Sequence, residues 1–275
     1  MNILRLSCPD QSGIVAAVSA CLQKNNCNIE EAAQFHEPED NYFYMRLIFS
    51  GRTDKFCQDL EDIAQEFNME WDVHSTDEPL KALILVSQWD HCLNDLLYRA
   101  EAGHINFSIT GVISNHQNSQ EMVERQNLPF HYINIDPANK QQSEQQISDL
   151  IKETGTDLIV LARYMQILSD EFCRTYSQKM INIHHSFLPG FKGAKPYQQA
   201  YQRGVKMIGA TAHFVTADLD EGPIITQDVQ PIDHTYTPKA MQALGRDIER
   251  QTLAKAVKLY AERRIFLHNK RTVIL

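Results

Sequence analysis

The sequence predicts an α/β protein with two domains, a ferredoxin-like βαββαβ domain and a doubly wound, mostly parallel sheet. Up to residue 75, apolar and polar residues alternate in the strand-like segments, as in antiparallel sheets with one buried face. From residue 80 onward the strand-like segments are continuous apolar runs separated by helical stretches, which is typical of parallel sheets buried on both faces. A polar linker at 75–79 separates the two patterns. We therefore predict domains at 1–75 and 80–275.

The first domain is predicted to contain four strands and two helices. The strands are at 3–7, 28–35, 42–49 and 69–73, and the helices are at 13–25 and 53–68. In the second helix the apolar residues recur at helical spacing and form one stripe, namely Phe56, Leu60, Ile63, Ala64 and Phe67. The order of these elements predicts an antiparallel sheet with two helices on one face.

The second domain is predicted to alternate between strands and helices. The strands are at 82–86, 107–113, 158–162, 180–183 and 208–215, and the helices are at 93–100, 141–154, 169–176 and 238–264. The residues expected to face the core from the last helix are Met241, Leu244, Ile248, Leu253, Val257 and Tyr260. In such a sheet, ligands bind at the carboxyl ends of the strands.

Composition and charge argue against several classes of protein. The net charge of -9 and the pI of about 5.6 argue against a nucleic-acid-binding protein. No segment reaches the roughly 18 apolar residues of a membrane span, and the first residues do not resemble a signal peptide, so we expect a cytoplasmic protein. The six cysteines are scattered without a Cys-x-x-Cys pair, which indicates reduced thiols. His184 and His185 are neighbours that point to opposite sides of an extended segment, so no metal site is predicted.

Three polar residues near the ends of two predicted strands form the candidate catalytic set. Asn182 and His184 precede a loop that contains Pro189 and Gly190, and Asp220 follows the strand at 208–215. If both strands end at the same edge of the sheet, these three side chains meet there. They would supply a hydrogen-bond donor, an acid or base, and a charge partner, as attack on a carbonyl-like carbon requires.

The second domain resembles the folate-dependent formyltransferase family. The resemblance lies in Asn182 and His184 before the loop at 188–189, in the segment 161–169, and in the segment 209–215 that leads to Asp220. It implies that Asn182, His184 and Asp220 are catalytic. It also implies that a tetrahydrofolate derivative is substrate and product, with no separate cofactor and no metal.

The same resemblance implies a set of folate-binding residues. These are Arg163, Met165, Gln166, Ile167, Leu168 and Asp218. For the segment 165–168 a loop that packs against the core, before a helix capped by Ser169, is an equal alternative. Arg163 would contact the glutamate tail of the folate, or else face water. His213 lies inside an apolar strand, where a hydrogen-bonded core histidine is the simpler interpretation.

The first domain resembles an ACT domain, through the order of its elements and through the loop at 10–14. This resemblance implies an amino-acid effector, with glycine and methionine as the first candidates, bound near Asp10, Gly13 and Ile14. It also implies a homo-oligomer, a dimer or a tetramer. The alternative is that Asp10 caps the following helix and Gly13 allows the turn.

Together, the two domains resemble the hydrolytic branch of the formyltransferase family. Phosphate-using transferases of the family carry a glycine-rich loop after the first strand of this domain, whereas residues 87–93 contain no glycine and include Asp90. His185 also departs from the proline that those transferases carry. The implied activity is hydrolysis of 10-formyltetrahydrofolate to formate and tetrahydrofolate, which supplies formate for purine biosynthesis and balances one-carbon pools. The alternatives are formyl transfer to a small amine near 87–92, and a folate or amino-acid sensor without catalysis.

Overall fold

The computed structural model describes residues 1–136, 139–188 and 196–275. The chain divides into two compact units. The first unit consists of Met1–Pro79, Glu262–His268 and Val273–Leu275, and the second consists of Leu80–Ala261 and Asn269–Thr272. In the described part of the chain, no helix combines the length and the apolar character needed to cross a membrane.

The first unit has the strand and helix order predicted from the sequence. Its elements are β1 (Asn2–Pro9), α1 (Ile14–Lys24), β2 (Asn28–Glu37), β3 (Tyr42–Ser50), α2 (Asp54–Phe67) and β4 (Glu70–Ser75). The antiparallel sheet has the order β2-β3-β1-β4. Leu4, Leu6 and Cys8 alternate along β1 toward one face and share a core with apolar residues of α1 and α2.

Residues near the C-terminus belong to the first unit because polar side chains of β3 bind them. Tyr44 and Arg46 are buried, and they alternate with the β3 residues that enter the helix-covered core. The Arg46 Nε donates a hydrogen bond to the Glu262 carbonyl at 3.0 Å, and the Tyr44 hydroxyl lies 2.7 Å from the His268 Nδ1. The predicted second domain, 80–275, therefore differs from the observed division at its C-terminal end.

The second unit alternates between strands and helices. Its strands are β5 (Leu80–Val86), β6 (Phe107–Ser114), β7 (Phe130–Tyr132), β8 (Leu158–Leu161), β9 (Met180–His184), β10 (Met207–Phe214) and β11 (Ile224–Pro231). Its helices are α3 (His91–Glu101), α4 (Gln120–Glu124), α5 (Lys140–Thr154), α6 (Asp170–Thr175), α7 (Pro196–Arg203) and α8 (Pro238–Ala261). Two further strands, β12 (Ile265–His268) and β13 (Arg271–Ile274), pair near the end of the chain.

The sheet of the second unit is mostly parallel, as predicted. Its order is β11-β10-β9-β8-β5-β6-β7, and the pairs from β9 to β7 are parallel. The expectation that the strand at 208–215 ends at the same edge as the strand at 180–183 is wrong, because β10 runs antiparallel to β9, with His213 opposite Asn182. An apolar run has the same pattern in either direction, so the sequence did not encode the direction of β10.

Candidate active site

The three predicted catalytic residues meet at the end of β9 and the loop after β10. Asn182 and His184 are two residues apart in β9, so their side chains lie on the same face of the sheet. The loop after β10 folds back on the strand, since the Phe214 amide donates to the Pro223 carbonyl at 2.9 Å. A Cβ at Gly222 would lie 1.7 Å from the Phe214 carbonyl oxygen, so only glycine permits this approach. The fold-back, rather than a shared strand edge, brings Asp220 to His184.

The side chains of His184 and Asp220 form a partly buried hydrogen-bonded pair. The His184 Nδ1 lies 3.2 Å from the Asp220 Oδ2, and the His184 side chain is 12% exposed. The hydrogen bond with His184 holds the pKa of Asp220 well below its usual range, although burial opposes it. The His184 Nε2 is buried and has no hydrogen-bond partner among the described residues. The second nitrogen of this ring therefore keeps a hydrogen-bonding capacity that the described residues do not use.

His213 fixes the orientation of the Asn182 amide. The His213 Nδ1 lies 2.8 Å from the Phe214 carbonyl oxygen, which only accepts hydrogen bonds, so Nδ1 carries the proton. The His213 Nε2 then accepts from the Asn182 Nδ2, at 3.2 Å. Within the described residues, the second N–H of the Asn182 amide makes no further hydrogen bond. His213 is buried, as the sequence suggested, but it also contacts Asn182 of the predicted catalytic set, which the sequence did not reveal.

A cavity of about 260 Å³ opens beside these residues. The predicted folate-binding residues that line it are Arg163, Met165, Gln166, Ile167 and Leu168, together with the catalytic set of Asn182, His184 and Asp220. Met165 is 60% exposed, Ile167 is 68% exposed and Leu219 is 62% exposed. Exposed apolar side chains around a concave site are typical of a surface that binds a flat, largely apolar group. Asp218, which we also predicted to bind substrate, is exposed and does not line this cavity.

Arg163 is mostly buried, so the alternative that it faces water is wrong. Its side chain is 12% exposed, and its Nε lies 3.4 Å from the Glu249 Oε2. Its backbone φ of +64° lies in the left-handed region, and its carbonyl accepts a hydrogen bond from the Ser87 amide at 3.2 Å. Arg163 therefore connects the wall of the cavity to a carboxylate on α8.

Glu249 is buried on α8 and binds several donors. Its side-chain oxygens accept hydrogen bonds from the His91 Nε2 at 2.8 Å and from the Tyr197 hydroxyl at 3.1 Å. Burial acts to raise the pKa of Glu249, but the hydrogen bond from His91 and the charge of Arg163 outweigh it, and the pKa is lowered. A Cβ at Gly245 would lie 1.9 Å from the Tyr197 hydroxyl, so a residue without a side chain is needed here to leave room for Tyr197.

The sequence reasoning missed Glu249. A signal for it was present, because Glu249 follows the buried Ile248 and lies on the same helical stripe as Met241, Gly245 and Thr252. An acidic residue on an otherwise buried stripe indicates a paired charge. Its partners come from distant segments, and no sequence spacing predicts them.

His91, Cys92 and Glu249 could also be considered as metal ligands, because their ligand atoms lie within 4.8 Å of one another. Two features disfavour a metal here. Burial first, and the charge of Glu249 second, raise the pKa of the Cys92 thiol well above its usual value. In addition, the Arg163 guanidinium lies against Glu249 and already supplies a positive charge.

The predicted effector residues lie at the start of α1 in the first unit. Gly13 precedes the helix with a φ of +102°, a conformation that favours glycine. The Asp10 Oδ2 lies 3.6 Å from the His36 Nε2. The Ile14 side chain is buried in the core of this unit, so only its backbone is available to a ligand. Pro189 and Gly190, predicted to form the loop after His184, lie outside the described residues.

Comparisons with known proteins match both the second unit and the whole chain. The family described as formyl transferase matches residues 80–257. A formyltetrahydrofolate deformylase from Corynebacterium sp. (strain P-1) is 43% identical over 279 residues, which cover 100% of this chain and 98% of the relative.

Solved structures extend this similarity to three dimensions. The crystal structure of formyltetrahydrofolate deformylase from Burkholderia mallei has a TM-score of 0.96 and 46% identity, covering 100% of this chain and 99% of that chain. A glycinamide ribonucleotide transformylase from Symbiobacterium toebii has a TM-score of 0.67 and 29% identity. The match covers 95% of that chain but only 72% of this one. The likeness to the transformylase thus leaves more than a quarter of this chain without a counterpart.

Proposed function

The chain belongs to the formyl transferase family and, over its full length, to the formyltetrahydrofolate deformylases; on this premise we propose that it hydrolyses 10-formyltetrahydrofolate to formate and tetrahydrofolate. The observation that carries this proposal is the hydrogen-bonded pair of His184 with Asp220, since both residues line an apolar-walled cavity and the His184 Nε2 has no hydrogen-bond partner among the described residues. The formate would serve purine biosynthesis and the balance of one-carbon pools. Tetrahydrofolate compounds are substrate and product, so the reaction itself requires no further organic cofactor.

In the first step, water attacks the formyl carbon and His184 takes the proton. The His184 Nδ1 donates to Asp220, which leaves the lone pair of Nε2 to accept a proton from the attacking water. Asp220 is a poor base because its pKa is held low, so its role is to orient the ring and to stabilise the imidazolium. A new C–O bond forms, and the former carbonyl oxygen becomes negatively charged.

Asn182 stabilises this negative charge. One of its N–H groups is held by His213, at 3.2 Å, and the other, which has no acceptor in the described part of the chain, would donate to the oxyanion. A donor fixed before the reaction does not need to reorient as charge develops. The buried His213 provides this preorganisation, because it holds the Asn182 amide in one orientation.

In the second step, the C–N bond breaks and the leaving nitrogen, N10, takes the proton from the His184 Nε2. Formic acid leaves and ionises to formate. His184 returns to the neutral ring, still bound to Asp220. Met165, Ile167 and Leu219 would contact the pterin and hold N10 near His184, since their exposed apolar side chains surround the same cavity.

The direct test is release of formate from 10-formyltetrahydrofolate by the purified protein, with no amine present. We expect release by the wild type and its loss in His184→Ala. His104→Ala is a matched control, because His104 is an exposed histidine of the same unit. Turnover that requires an added amine would instead assign the protein as a transferase. Folate binding without turnover under either condition would assign it as a sensor.

We also propose that the first unit is an ACT domain that binds an amino acid, with glycine and methionine as the first candidates. Its βαββαβ order and the glycine-led start of α1 support this assignment, because free N–H groups at a helix start attract a carboxylate. By the same analogy the protein is a homo-oligomer, a dimer or a tetramer.

The effector proposal is tested with Gly13→Val, which forces a β-branched residue to a φ of +102°. We expect this variant to change the response of turnover to glycine or methionine, or the mass in solution, more than it changes basal turnover. Gly103→Val is the control, since Gly103 also has a positive φ but lies in the second unit with open space around it. An unchanged mass together with an unchanged amino-acid response in Gly13→Val would contradict the proposal.

A further inference from the structure

The loop that carries Asp220 has a backbone that needs support from its surroundings. Asp220 has a φ of +58°, in the left-handed region that residues other than glycine rarely adopt. Such a conformation persists only where the surrounding structure holds it. The contacts that hold this loop therefore also hold the Asp220 Oδ2 at its distance of 3.2 Å from the His184 Nδ1.

One of these contacts comes from the C-terminal hairpin, which is formed by β12 and β13. The Thr272 hydroxyl donates a hydrogen bond to the Ile224 carbonyl at 2.6 Å. Residues 270–272 of the hairpin also line one cavity of about 440 Å³ with residues 220–222 of the loop. The turn of the hairpin thus lies beside the loop and is bound to it.

Ile224 connects the hairpin to both parts of the proposed catalytic set. It begins β11, four residues after Asp220, and it pairs with His213 of β10. His213 in turn accepts a hydrogen bond from the Asn182 amide at 3.2 Å. The hydrogen bond from Thr272 therefore anchors the segment that follows Asp220 and that lies opposite the partner of Asn182.

The strands of the hairpin belong largely to a different unit from its turn. Glu262–His268 and Val273–Leu275 are part of the first unit, whereas Asn269–Thr272 are part of the second. Within the first unit, the His268 Nδ1 lies 2.7 Å from the hydroxyl of Tyr44 on β3, and both residues are buried. The hairpin is therefore a covalent connection between buried contacts of the first unit and the loop that carries the catalytic carboxylate.

We propose that Thr272 is a positioning residue for Asp220, and that the C-terminal hairpin conveys changes in the first unit to the catalytic pair. This inference rests on the proposed function for the role of Asp220. If the strands of the hairpin shift on β3, its turn shifts with them, and the hydrogen bond to Ile224 weakens. Asp220 then loses its alignment with His184, and turnover falls. Folate affinity is kept, since Thr272 does not line the cavity of about 260 Å³.

The first experiment removes the hydroxyl with Thr272→Val and keeps it with Thr272→Ser. Hydrogen exchange of peptides that cover 213–224, followed by mass spectrometry, reports how firmly the loop is held. We expect about fivefold faster exchange in Thr272→Val, the factor that corresponds to the loss of one hydrogen bond, and wild-type exchange in Thr272→Ser. Thr175→Val is the matched control, because the Thr175 hydroxyl donates to the Glu171 carbonyl at 2.9 Å within the α6 region, and exchange over 213–224 should be unchanged.

Steady-state kinetics of the same variants separates positioning from substrate binding. We expect Thr272→Val to lower kcat by about three- to tenfold with KM unchanged, and Thr272→Ser to restore kcat. Unchanged exchange in Thr272→Val, or a loss confined to KM, would overturn the role of Thr272. Hydrogen exchange does not require turnover, so it remains interpretable even if no formate is released in the activity assay.

A double-mutant cycle tests whether the hairpin conveys changes from the first unit. Tyr44→Phe removes the buried hydroxyl beside His268, and we expect about threefold faster exchange over 213–224. In the Thr272→Val background the same change should add little, because the connection to the loop is already broken. Cys21→Ala is the control, since Cys21 is buried in the helix-covered core of the first unit, and exchange over 213–224 should be unchanged. Unchanged exchange in Tyr44→Phe, or the same acceleration in both backgrounds, would overturn the proposed connection.

Discussion

Two carboxylate–histidine pairs in the second unit have similar chemistry and different surroundings. His184 with Asp220, at 3.2 Å, lies beside the cavity, and the other nitrogen of the ring has no partner among the described residues. His91 and Glu249 are 2.8 Å apart, and the Glu249 carboxylate, which is more deeply buried than that of Asp220, also binds Tyr197 and faces Arg163. Both carboxylates have a lowered pKa. The pKa shift alone therefore does not separate the proposed catalytic pair from the second pair.

The two pairs differ in which of their hydrogen-bonding groups lack a partner. Beside the first pair, the His184 Nε2 and one N–H of Asn182 lack a hydrogen-bond partner in the ranges that the structure describes. In the second pair, both side-chain oxygens of Glu249 already accept hydrogen bonds, one from His91 and one from Tyr197. A buried site acquires catalytic capacity where polar groups lack partners inside the protein, because a substrate in its transition state then supplies them.

The largest expected effect is that of Asp220→Asn on turnover. The amide removes the charge that stabilises the imidazolium and permits the wrong tautomer of His184. We therefore expect kcat to fall by about 10³–10⁴, with tetrahydrofolate affinity kept. Glu249→Gln, the equivalent change in the second pair, should lower kcat by about tenfold or less. Steady-state kinetics with a separate folate-binding assay measures both, and wild-type kcat in Asp220→Asn would refute the assigned role.

Asn182→Ala tests whether the free N–H beside the first pair is used in the transition state. Removing one oxyanion donor costs about 10²–10³ in kcat in comparable sites. We expect this loss to fall on kcat rather than on KM, since the charge exists only in the transition state. Asn118→Ala, which removes an exposed amide that donates to the Gln88 carbonyl at 3.0 Å, is the control. A loss confined to KM would assign Asn182 to substrate binding instead.

Glu249→Gln should lower the free energy of unfolding, because the second pair stabilises the fold. The change leaves the buried Arg163 without its counter-charge, and such losses cost about 3–5 kcal/mol of unfolding free energy. Glu121→Gln, which breaks an exposed ion pair with Arg125, should cost less than about 1 kcal/mol. Denaturant unfolding monitored by circular dichroism compares the two variants. Equal stabilities would show that the Glu249 cluster contributes no net stability.

His185 lies beside both pairs and gives the smallest effect. Its pKa falls from 6.5 to about 4 on folding, so the unfolded chain takes up this proton first as the pH decreases. The free energy of unfolding is therefore unaffected by this ring above about pH 6.5 and decreases as the pH falls toward 4. The loss amounts to about 2 kcal/mol at pH 5. His185→Gln should flatten this part of the stability–pH curve, measured by urea unfolding from pH 7.5 to 4.5. If the curves of His185→Gln and of the wild type have the same slope over this pH range, the burial of the His185 ring is contradicted.

Most strands and helices that position the site followed from the sequence. The apolar runs at β5, β6, β8 and β10 were located to within about two residues, and the same holds for the long helix α8 at its start. Continuous apolar runs encode burial strongly. The partners of Glu249 were not predictable, because His91, Arg163 and Tyr197 come from three separate segments and share no spacing with it.

The sequence by itself determined the alternation of elements and the change of pattern near residue 80, and its resemblance to a known family indicated Asn182, His184 and Asp220 as one set. The first two are local properties, since periodicity depends on neighbouring residues. Only the tertiary structure decided that β10 runs antiparallel to β9, that His213 orients the Asn182 amide, and that residues 262–268 join the first unit. Strand direction and long-range hydrogen bonds depend on residues far apart in the chain, so local patterns do not record them.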